Sequence, residues 1–307
     1  MLFAKTESQT APITLNLAIL GASPLSFYLA AELQKSGHRI TVVCRPAEAD
    51  EFNATDFVFK DSRRLQSRRH NFRFAFELET PPQLLLITSD MPRLRSDLLL
   101  LAPSRLSDAP IVSFTPETPS GLISDILNRP VINALFDGWL TREKNHIICF
   151  SRRNGVTFGL NETSPQFSFM QDVFTGSGIE VRADENSPRS FWNWFAPRII
   201  AALVIAASGR GLDDLAKSPD GRKLIDAGIS EVIILAANDG VRLENTEILS
   251  QIYNTPESDA LWLQTAKPAQ NTLLLERLTA LLFHGIAADD QRFPILRGLL
   301  KKIRNNL

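Results

Sequence analysis

The first half of the chain alternates short runs of apolar and β-branched residues with segments of helical spacing. The run over residues 83–88 is continuously apolar, which is typical of strands buried on both faces of a parallel sheet. Strands are predicted over residues 15–20, 39–44, 55–59, 83–88, 110–114, 145–150 and 156–159. Beyond about residue 187, helices are predicted over residues 199–207, 221–239, 246–253, 271–285 and 294–303. The pattern predicts an α/β domain over residues 1–185 and an all-helical domain over residues 186–307.

Composition and charge are those of an ordinary globular protein. Hydrophobic residues make up 44% of the 307 residues, charged residues 22%, and the formal net charge is −1. This balance favours neither nucleic acid nor an anionic membrane as a partner. The first thirteen residues lack the basic start and long apolar centre of a secretion signal. The apolar run Ile199–Ala207 is shorter than the roughly 20 residues of a membrane helix, so we expect a soluble, cytoplasmic protein.

The cysteines and histidines show no pattern of a metal site. Cys44 and Cys149 both lie in apolar, β-rich stretches, which predicts buried, reduced thiols, although their number also permits one disulfide. Four histidines are scattered along the chain without the spacing of metal ligands: His38, His70, His146 and His284. We therefore predict no metal centre.

Residues 15–45 have the layout of a nucleotide-binding βαβ unit, with a strand, a tight turn, a helix and a second strand. The turn keeps Gly21, but Ser23 and Ser26 replace the second and third glycines of the pattern G-x-G-x-x-G. Ser23 adds a side chain where a dinucleotide would lie closest, and Pro24 removes one amide. The start of the helix still offers amides to an anion. The candidate cofactor loop consists of Gly21, Ala22, Ser23, Pro24 and Leu25.

Arg45 follows the second predicted strand, where many dinucleotide-binding proteins have an acidic residue for the ribose diol. An arginine there pairs with a 2′-phosphate and stacks on adenine, which favours NADP over NAD. The alternative is a solvated arginine at the start of a loop. A basic run follows over Lys60–His70. It is compatible with phosphate binding, but a solvated hairpin or loop near the adenine end is preferred because the rest of the chain is not basic.

Together these segments resemble the ketopantoate reductase family of 6-phosphogluconate-dehydrogenase-like proteins. The resemblance covers nearly the whole chain. Besides the βαβ unit with Arg45, it rests on a strand-rich stretch over residues 131–159, on the segment Phe191–Arg198 before an apolar helix, and on the tripeptide His284-Gly285-Ile286. It implies a Rossmann-type domain followed by a helical domain, NADP(H) as the cofactor, and a small 2-oxo acid substrate in the cleft between the domains. A homodimer is compatible with it.

The family's catalytic helix reads W-x-K-x-x-x-N, and this chain departs from it. Matched on Trp192, the lysine position holds Trp194 and the asparagine position holds Arg198. An indole N–H cannot supply a proton at neutral pH, whereas a guanidinium can hold a carboxylate or a developing alkoxide. The resemblance therefore makes Trp194 and Arg198 the residues that face the substrate. The proton would come from water, from His284 or from another group.

Other family positions are also changed. The asparagine after the fifth strand falls at Thr115-Pro116, and a lysine after the fourth strand falls near Asp90. The late glutamate falls on Ala269, with Glu276 as a shifted substitute. The expected nicotinamide side consists of Thr88, Ser89, Thr115 and Pro116. Two hypotheses stay open: an NADP(H)-dependent oxidoreductase of a small carbonyl or imine other than ketopantoate, or a non-redox enzyme or binding or scaffold protein that uses the same cleft.

Overall fold

The structure is a computed structural model, and it describes residues 14–54, 57–61, 67–70, 72–89, 91–102, 105–106, 108–114, 121–137, 140–143, 146–149, 155–238, 240–253 and 292–306. The strands are β1 (Asn16–Leu20), β2 (Arg39–Val43), β3 (Phe57–Asp61), β4 (Ser67–His70), β5 (Arg73–Ala75), β6 (Leu84–Ile87), β7 (Ile111–Ser113), β8 (Ile132–Phe136), β9 (Leu140–Glu143), β10 (His146–Cys149), β11 (Gly155–Phe158) and β12 (Glu180–Ala183). The helices are α1 (Pro24–Lys35), α2 (Pro46–Asn53), α3 (Met91–Leu98), α4 (Gly121–Leu127), α5 (Pro165–Phe174), α6 (Ser187–Ser208), α7 (Leu212–Lys217), α8 (Pro219–Asn238), α9 (Asn245–Tyr253) and α10 (Pro294–Asn306).

Eight strands form one sheet in the order β12-β11-β8-β7-β6-β1-β2-β5. Its neighbouring strands run parallel except for β8 and β11, which pair antiparallel. Side chains alternate along β1, so that Leu17 and Ile19 pack with α1, α2 and α5, whereas Ala18 and Leu20 pack with α3 and α4. Helices thus cover both faces, which explains the continuously apolar central strands and confirms the predicted α/β class.

A second sheet has the order β4-β3-β10-β9. Its strands β3 and β4 pair antiparallel, so part of the basic run forms two adjacent strands. All seven strands predicted from the hydrophobic pattern are confirmed. Strands β4, β5 and β12 were not predicted, and β8 and β9 were expected only through the family resemblance, as part of the strand-rich stretch over residues 131–159. These are short or only half-buried: β5 has three residues, and most of β12 is of intermediate exposure. A strand without a fully buried face leaves little hydrophobic alternation in the sequence.

The described chain beyond residue 187 is helical, as predicted. Helix α6 packs against α8, α9 and α10, and its residues Ile199–Ala207 are buried. The predicted helix over residues 271–285 lies outside the described residues. Strands end at Ala183 and α6 begins at Ser187; the domain division at 185/186 stays a prediction.

Helix α6 is longer than the run Ile199–Ala207 alone indicates. Over Pro188–Ser208 it is the one helix among the described residues with the length and composition of a membrane span. However, 72% of its most apolar stretch is buried inside the protein, as in the core helix of a folded domain. The surrounding helices account for its apolar composition.

Helix α10 begins on a carboxylate from another helix. Glu231 of α8 is only 6% exposed, and its two oxygens accept hydrogen bonds from the amides of Ile295 and Leu296, both at 2.8 Å. Pro294 occupies the first position of α10, where the missing amide is not needed. The negative charge of Glu231 therefore caps the positive end of α10 and ties it to α8.

Candidate functional site

The first strand of the sheet ends at a turn that only glycine fits. Gly21 has φ +103°, and its amide donates to the carbonyl of Val43 at 2.9 Å. A Cβ at this position would lie 2.6 Å from Ser89 Oγ and 2.8 Å from its Cα and N. The ends of β1 and β6 are therefore in direct backbone contact, at the edge where open α/β sheets bind their ligands.

A chain of hydroxyl groups fills the space behind this turn. Thr88 Oγ1 donates to the carbonyl of Leu20 at 2.9 Å, so its proton is used and it accepts from Ser26 Oγ at 2.7 Å. The proton of Ser26 is then also used, so Ser23 Oγ donates to Ser26 Oγ at 3.0 Å. All three residues are buried. The Ser23 hydroxyl is thus hydrogen-bonded to Ser26 inside the protein.

The same two serines cap helix α1. The Ser26 amide donates to Ser23 Oγ at 3.2 Å and the Ser23 amide donates to Ser26 Oγ at 2.9 Å, which is a reciprocal capping box. Pro24 is the first residue of α1 and has no amide hydrogen. Within the predicted cofactor loop, the amides of Gly21, Ala22 and Leu25 lie outside this box. The Gly21 amide donates to the carbonyl of Val43, so the amides of Ala22 and Leu25 are the ones suited to hold a pyrophosphate.

Replacing Ser23 with glycine is expected to strengthen the binding of NADPH and NADH by the same factor, about 3- to 10-fold. The change removes the side chain from the closest approach of the pyrophosphate and opens the capping box, at a cost of roughly a few tenths of a kcal/mol in stability. Titration by nicotinamide fluorescence and urea unfolding measure the two effects. Ser164→Gly is the matched control, because Ser164 caps α5 through Phe167. Unchanged affinities in Ser23→Gly would show that the serine does not obstruct the loop.

Arg45 lies two residues after the end of β2 and is the N-cap residue of α2. Its Nη2 donates to Glu48 Oε1 at 2.6 Å and its Nε to Glu48 Oε2 at 3.2 Å. Arg93 of α3 donates to the same Oε1 through Nη1 at 2.7 Å. Burial alone would raise the pKa of Glu48, but the hydrogen bonds and charges of the two arginines lower it below its ordinary value. Glu48 is therefore an ionised carboxylate held by two arginines.

Two further ionisable groups, Asp97 and Cys44, lie near this cluster. Burial raises the pKa of Asp97, opposed by a hydrogen bond with Ser89 and reinforced by the nearby charge of Glu48. Burial also raises the pKa of the Cys44 thiol to about 12. Cys44 is a free, buried thiol, as predicted; the side chain of Cys149 lies outside the described set. A thiol with this pKa is protonated and unreactive at neutral pH.

A second polar group lies at the start of the helical part. Asp137 follows β8 and accepts from Arg198 Nη2 at 3.4 Å and from Arg182 Nη2 at 3.3 Å. Burial lowers the pKa of Arg198 to about 10, and Asp137 opposes the shift. The guanidinium is still a cation at neutral pH. Strand β12 and helix α6 thus each place one arginine on the same carboxylate.

Arg198 is held against its own helix, one residue after a proline. Pro197 lies inside α6 and lacks the amide that would bond the carbonyl of Asn193. The Arg198 Nη1 donates to the carbonyl of Trp194 at 2.9 Å, and its guanidinium lies 4.9 Å from the centre of the Trp194 ring. The cation and the indole are therefore held together by a hydrogen bond and a cation–π contact.

Trp194 carries an unused hydrogen-bond donor. Its Nε1 is buried and has no partner among the described groups, although a buried indole N–H normally finds an acceptor. The neighbouring rings of Phe191, Trp192 and Phe195 are buried, with centroids 5.2–5.6 Å apart; Phe191 and Phe195 stack, and Trp192 meets both edge to face. These three belong to the core of the helical part, whereas Trp194 and Arg198 form a polar site at its edge.

The structure brings Gly21, Ser23, Thr88 and Ser89 together at one edge of the sheet, with Arg45 beside them. Several predicted positions lie outside the described residues: Asp90, Thr115, Pro116, Ala269, Glu276 and His284. Sequence reasoning missed Glu48, Arg93, Asp97, Asp137 and Arg182. Only Glu48 has a local signal, since it lies three residues after Arg45 at the position of a capping-box glutamate. Within the ranges described, no three His, Cys, Asp or Glu side chains converge on a metal position.

No family model matches the sequence, and no curated protein matches it. Solved structures do match. The 2-dehydropantoate 2-reductase from Geobacter metallireducens GS-15 is 15% identical, with a TM-score of 0.74 over 95% of this chain and 100% of that chain. A dimeric ketopantoate reductase from Staphylococcus aureus is 13% identical, with a TM-score of 0.74 over 95% and 98%.

A D-mandelate dehydrogenase in complex with NADH is also similar, at 12% identity and a TM-score of 0.75 over 94% of this chain and 98% of that chain. These similarities extend over nearly the whole length of each protein, through both the sheet and the helices. At such low identity they establish the fold. The chain therefore has the fold of the ketopantoate reductases, a Rossmann-type α/β domain followed by a helical domain.

Proposed function

We propose that the protein is an NADP(H)-dependent oxidoreductase that acts on a small carbonyl or imine substrate other than ketopantoate. The observation that carries this proposal is the pair of arginines, Arg45 after β2 and Arg93 of α3, that meet at Glu48. In this fold the adenosine half of a dinucleotide lies there, and two guanidinium groups suit a 2′-phosphate. We also propose a cytoplasmic location and, because a neighbour of the same fold is dimeric, a homodimer.

The residues around Gly21 fit a dinucleotide at its pyrophosphate. The positive φ of Gly21 and its close approach to Ser89 hold the turn against the end of β6. This placement of the backbone leaves room for the phosphates. The amides of Ala22 and Leu25 would hold them at the positive end of α1. Ser89 would border the nicotinamide together with Thr88, whose hydroxyl is used internally. NADPH, when bound, supplies the hydride for reduction.

Trp194 and Arg198 support a substrate with a negative charge or a polarised oxygen. Arg198 stays a cation at neutral pH and would hold a carboxylate or stabilise a developing alkoxide. The free indole N–H of Trp194 would donate one more hydrogen bond. Neither group delivers the proton, because arginine holds its proton and indole is not an acid. In this proposal the proton comes from water or from a residue outside the described ranges.

A second candidate is a protein that binds a ligand in the same cleft without hydride transfer. Two observations favour it. The family's lysine position is Trp194, and the hydroxyl of Ser23 is engaged by Ser26 inside the protein. A titration of the purified protein with NADPH and NADH separates the two candidates. Micromolar binding of NADPH supports the reductase, followed by a screen of 2-oxo acids, ketones and imines; no binding of either nucleotide at millimolar concentration supports the non-redox candidate.

Replacing Arg45 with alanine is expected to weaken NADPH binding about 10- to 100-fold and NADH binding less than about 3-fold. The reason is the loss of a charge-assisted contact with the 2′-phosphate, which is worth roughly 1.5–3 kcal/mol. Isothermal titration calorimetry measures both affinities. Arg39→Ala is the control, since Arg39 is an exposed arginine of β2 and should change neither. Equal losses for the two nucleotides in Arg45→Ala would contradict the 2′-phosphate role.

A further inference from the structure

The two arginines of the proposed 2′-phosphate site already hold an anion of the protein itself. The Glu48 carboxylate accepts from Arg45 at 2.6 and 3.2 Å and from Arg93 at 2.7 Å. The side chain of Glu48 is 19% exposed, whereas the arginines are 44% and 47% exposed. The carboxylate is thus the least exposed group of the cluster.

We propose that Glu48 determines the preference between NADPH and NADH: it is an internal anion that competes with the 2′-phosphate for Arg45 and Arg93. This inference rests on the proposed dinucleotide-binding function and adds the residue that sets its specificity. A pair of arginines without a carboxylate would strongly favour NADPH. With Glu48 between them, the two cations are partly neutralised and the preference is reduced.

The electrostatic argument gives the sign and the size of the effect. A 2′-phosphate held by the same two arginines would bring about two negative charges near Glu48. At a separation of roughly 6 Å in a largely solvated cluster, this repulsion would correspond to about a tenfold loss of affinity. The 2′-hydroxyl of NADH is uncharged and can donate a hydrogen bond to the same carboxylate. Glu48 therefore penalises NADPH and is neutral or favourable toward NADH.

The local structure allows the charge to be removed without disturbing helix α2. Glu48 is at the third position of α2, where its side chain also accepts from the Arg45 amide. Glutamine suits this position of a capping box as well as glutamate does. Glu48→Gln thus keeps the helix start and removes only the charge. Asp50→Asn is the matched control, because Asp50 is exposed on the same helix and its replacement changes the net charge equally.

The test is the Kd of NADPH and of NADH for the wild type, Glu48→Gln and Asp50→Asn, measured by calorimetry on the full chain. We expect Glu48→Gln to lower the Kd of NADPH about tenfold and to leave the Kd of NADH unchanged or slightly raised. Asp50→Asn should leave the ratio of the two Kd values unchanged. An unchanged ratio, or weaker NADPH binding in Glu48→Gln, overturns the inference while cofactor binding by the wild type stands. Binding of neither nucleotide by the wild type overturns the proposed function and the inference with it.

Arg93 gives a second variant that does not depend on the folding of Glu48→Gln. Arg93 is exposed on α3 and reaches Glu48 from a different element. Without it, the Glu48 charge is less neutralised and the 2′-phosphate loses a cation. We expect Arg93→Gln to weaken NADPH at least fivefold with NADH within about twofold. An equal effect on both nucleotides would overturn the inference.

Discussion

Replacing Gly21 with alanine is expected to destabilise the protein by about 3 kcal/mol or more and to abolish dinucleotide binding. The first cause is the backbone: φ of +103° costs an L-residue roughly 1–2 kcal/mol. The second cause is the contact of the new Cβ, at 2.8 Å, with the backbone N and Cα of Ser89. Because backbone atoms cannot rotate away, the ends of β1 and β6 would have to separate, and the loop of the proposed cofactor site with them.

Gly37→Ala separates these two causes. Gly37 also has a positive φ, of +86°, but a Cβ there has no atom within 4 Å. This variant should therefore lose only the backbone share, about 1–2 kcal/mol, and bind nucleotides normally. Urea unfolding followed by circular dichroism measures both free energies of unfolding. If Gly21→Ala is no more destabilising than Gly37→Ala, then β1 and β6 do not approach each other as described.

Replacing Glu231 with alanine is expected to lower the free energy of unfolding by about 3 kcal/mol. Two amides at the start of α10, those of Ile295 and Leu296, would lose a charged acceptor in a buried position, and each such bond is worth roughly 1.5–3 kcal/mol. The loss of negative charge at the positive end of the helix adds to this effect. Thermal unfolding of the variant should begin in the helical part, where α10 packs on α6 and α8.

The control is Glu247→Ala, which removes an exposed glutamate from the first turn of α9. Its effect should stay within about 0.5 kcal/mol, as for most surface substitutions. Hydrogen exchange of α10 gives a local measure: in Glu231→Ala the protection of the α10 amides should fall more than that of β1 and β6. Equal loss of protection in both parts would show that Glu231 acts on global stability rather than on the docking of α10.

The βαβ unit could be predicted because its signals are local. The apolar strand, the turn at Gly21, the proline at the start of α1 and the second strand follow one another within about 30 residues, and each has its own turn or helix chemistry. The same was true of α8, α9 and α10, whereas α7 was not predicted and the predicted helix over residues 271–285 lies outside the described residues. Strands such as β5 and β12 could not be predicted, because a short or partly exposed strand at a sheet edge carries no clear alternation.

The residues that make up the candidate site were harder to predict from the sequence. Sequence reasoning found Arg45 but not Arg93, which lies 45 residues from Glu48 along the chain. It found Arg198 but not Asp137, 61 residues away. It treated Ser23 only as a replacement of the second motif glycine. The chain of hydroxyl groups from Ser23 through Ser26 to Thr88 became visible only in three dimensions, since Ser26 and Thr88 are 62 residues apart.

The sequence by itself therefore determined the order and type of the main elements, the turn at Gly21 and the position of an arginine after β2. Those features depend on periodicity and backbone conformation, which act between residues a few positions apart. Only the tertiary structure decided which carboxylate pairs with Arg45, which group faces Arg198 and where the hydroxyl protons of the first turn are directed. Charges and hydrogen bonds act through space, and the folding of the sheet brings together groups that the linear sequence keeps far apart.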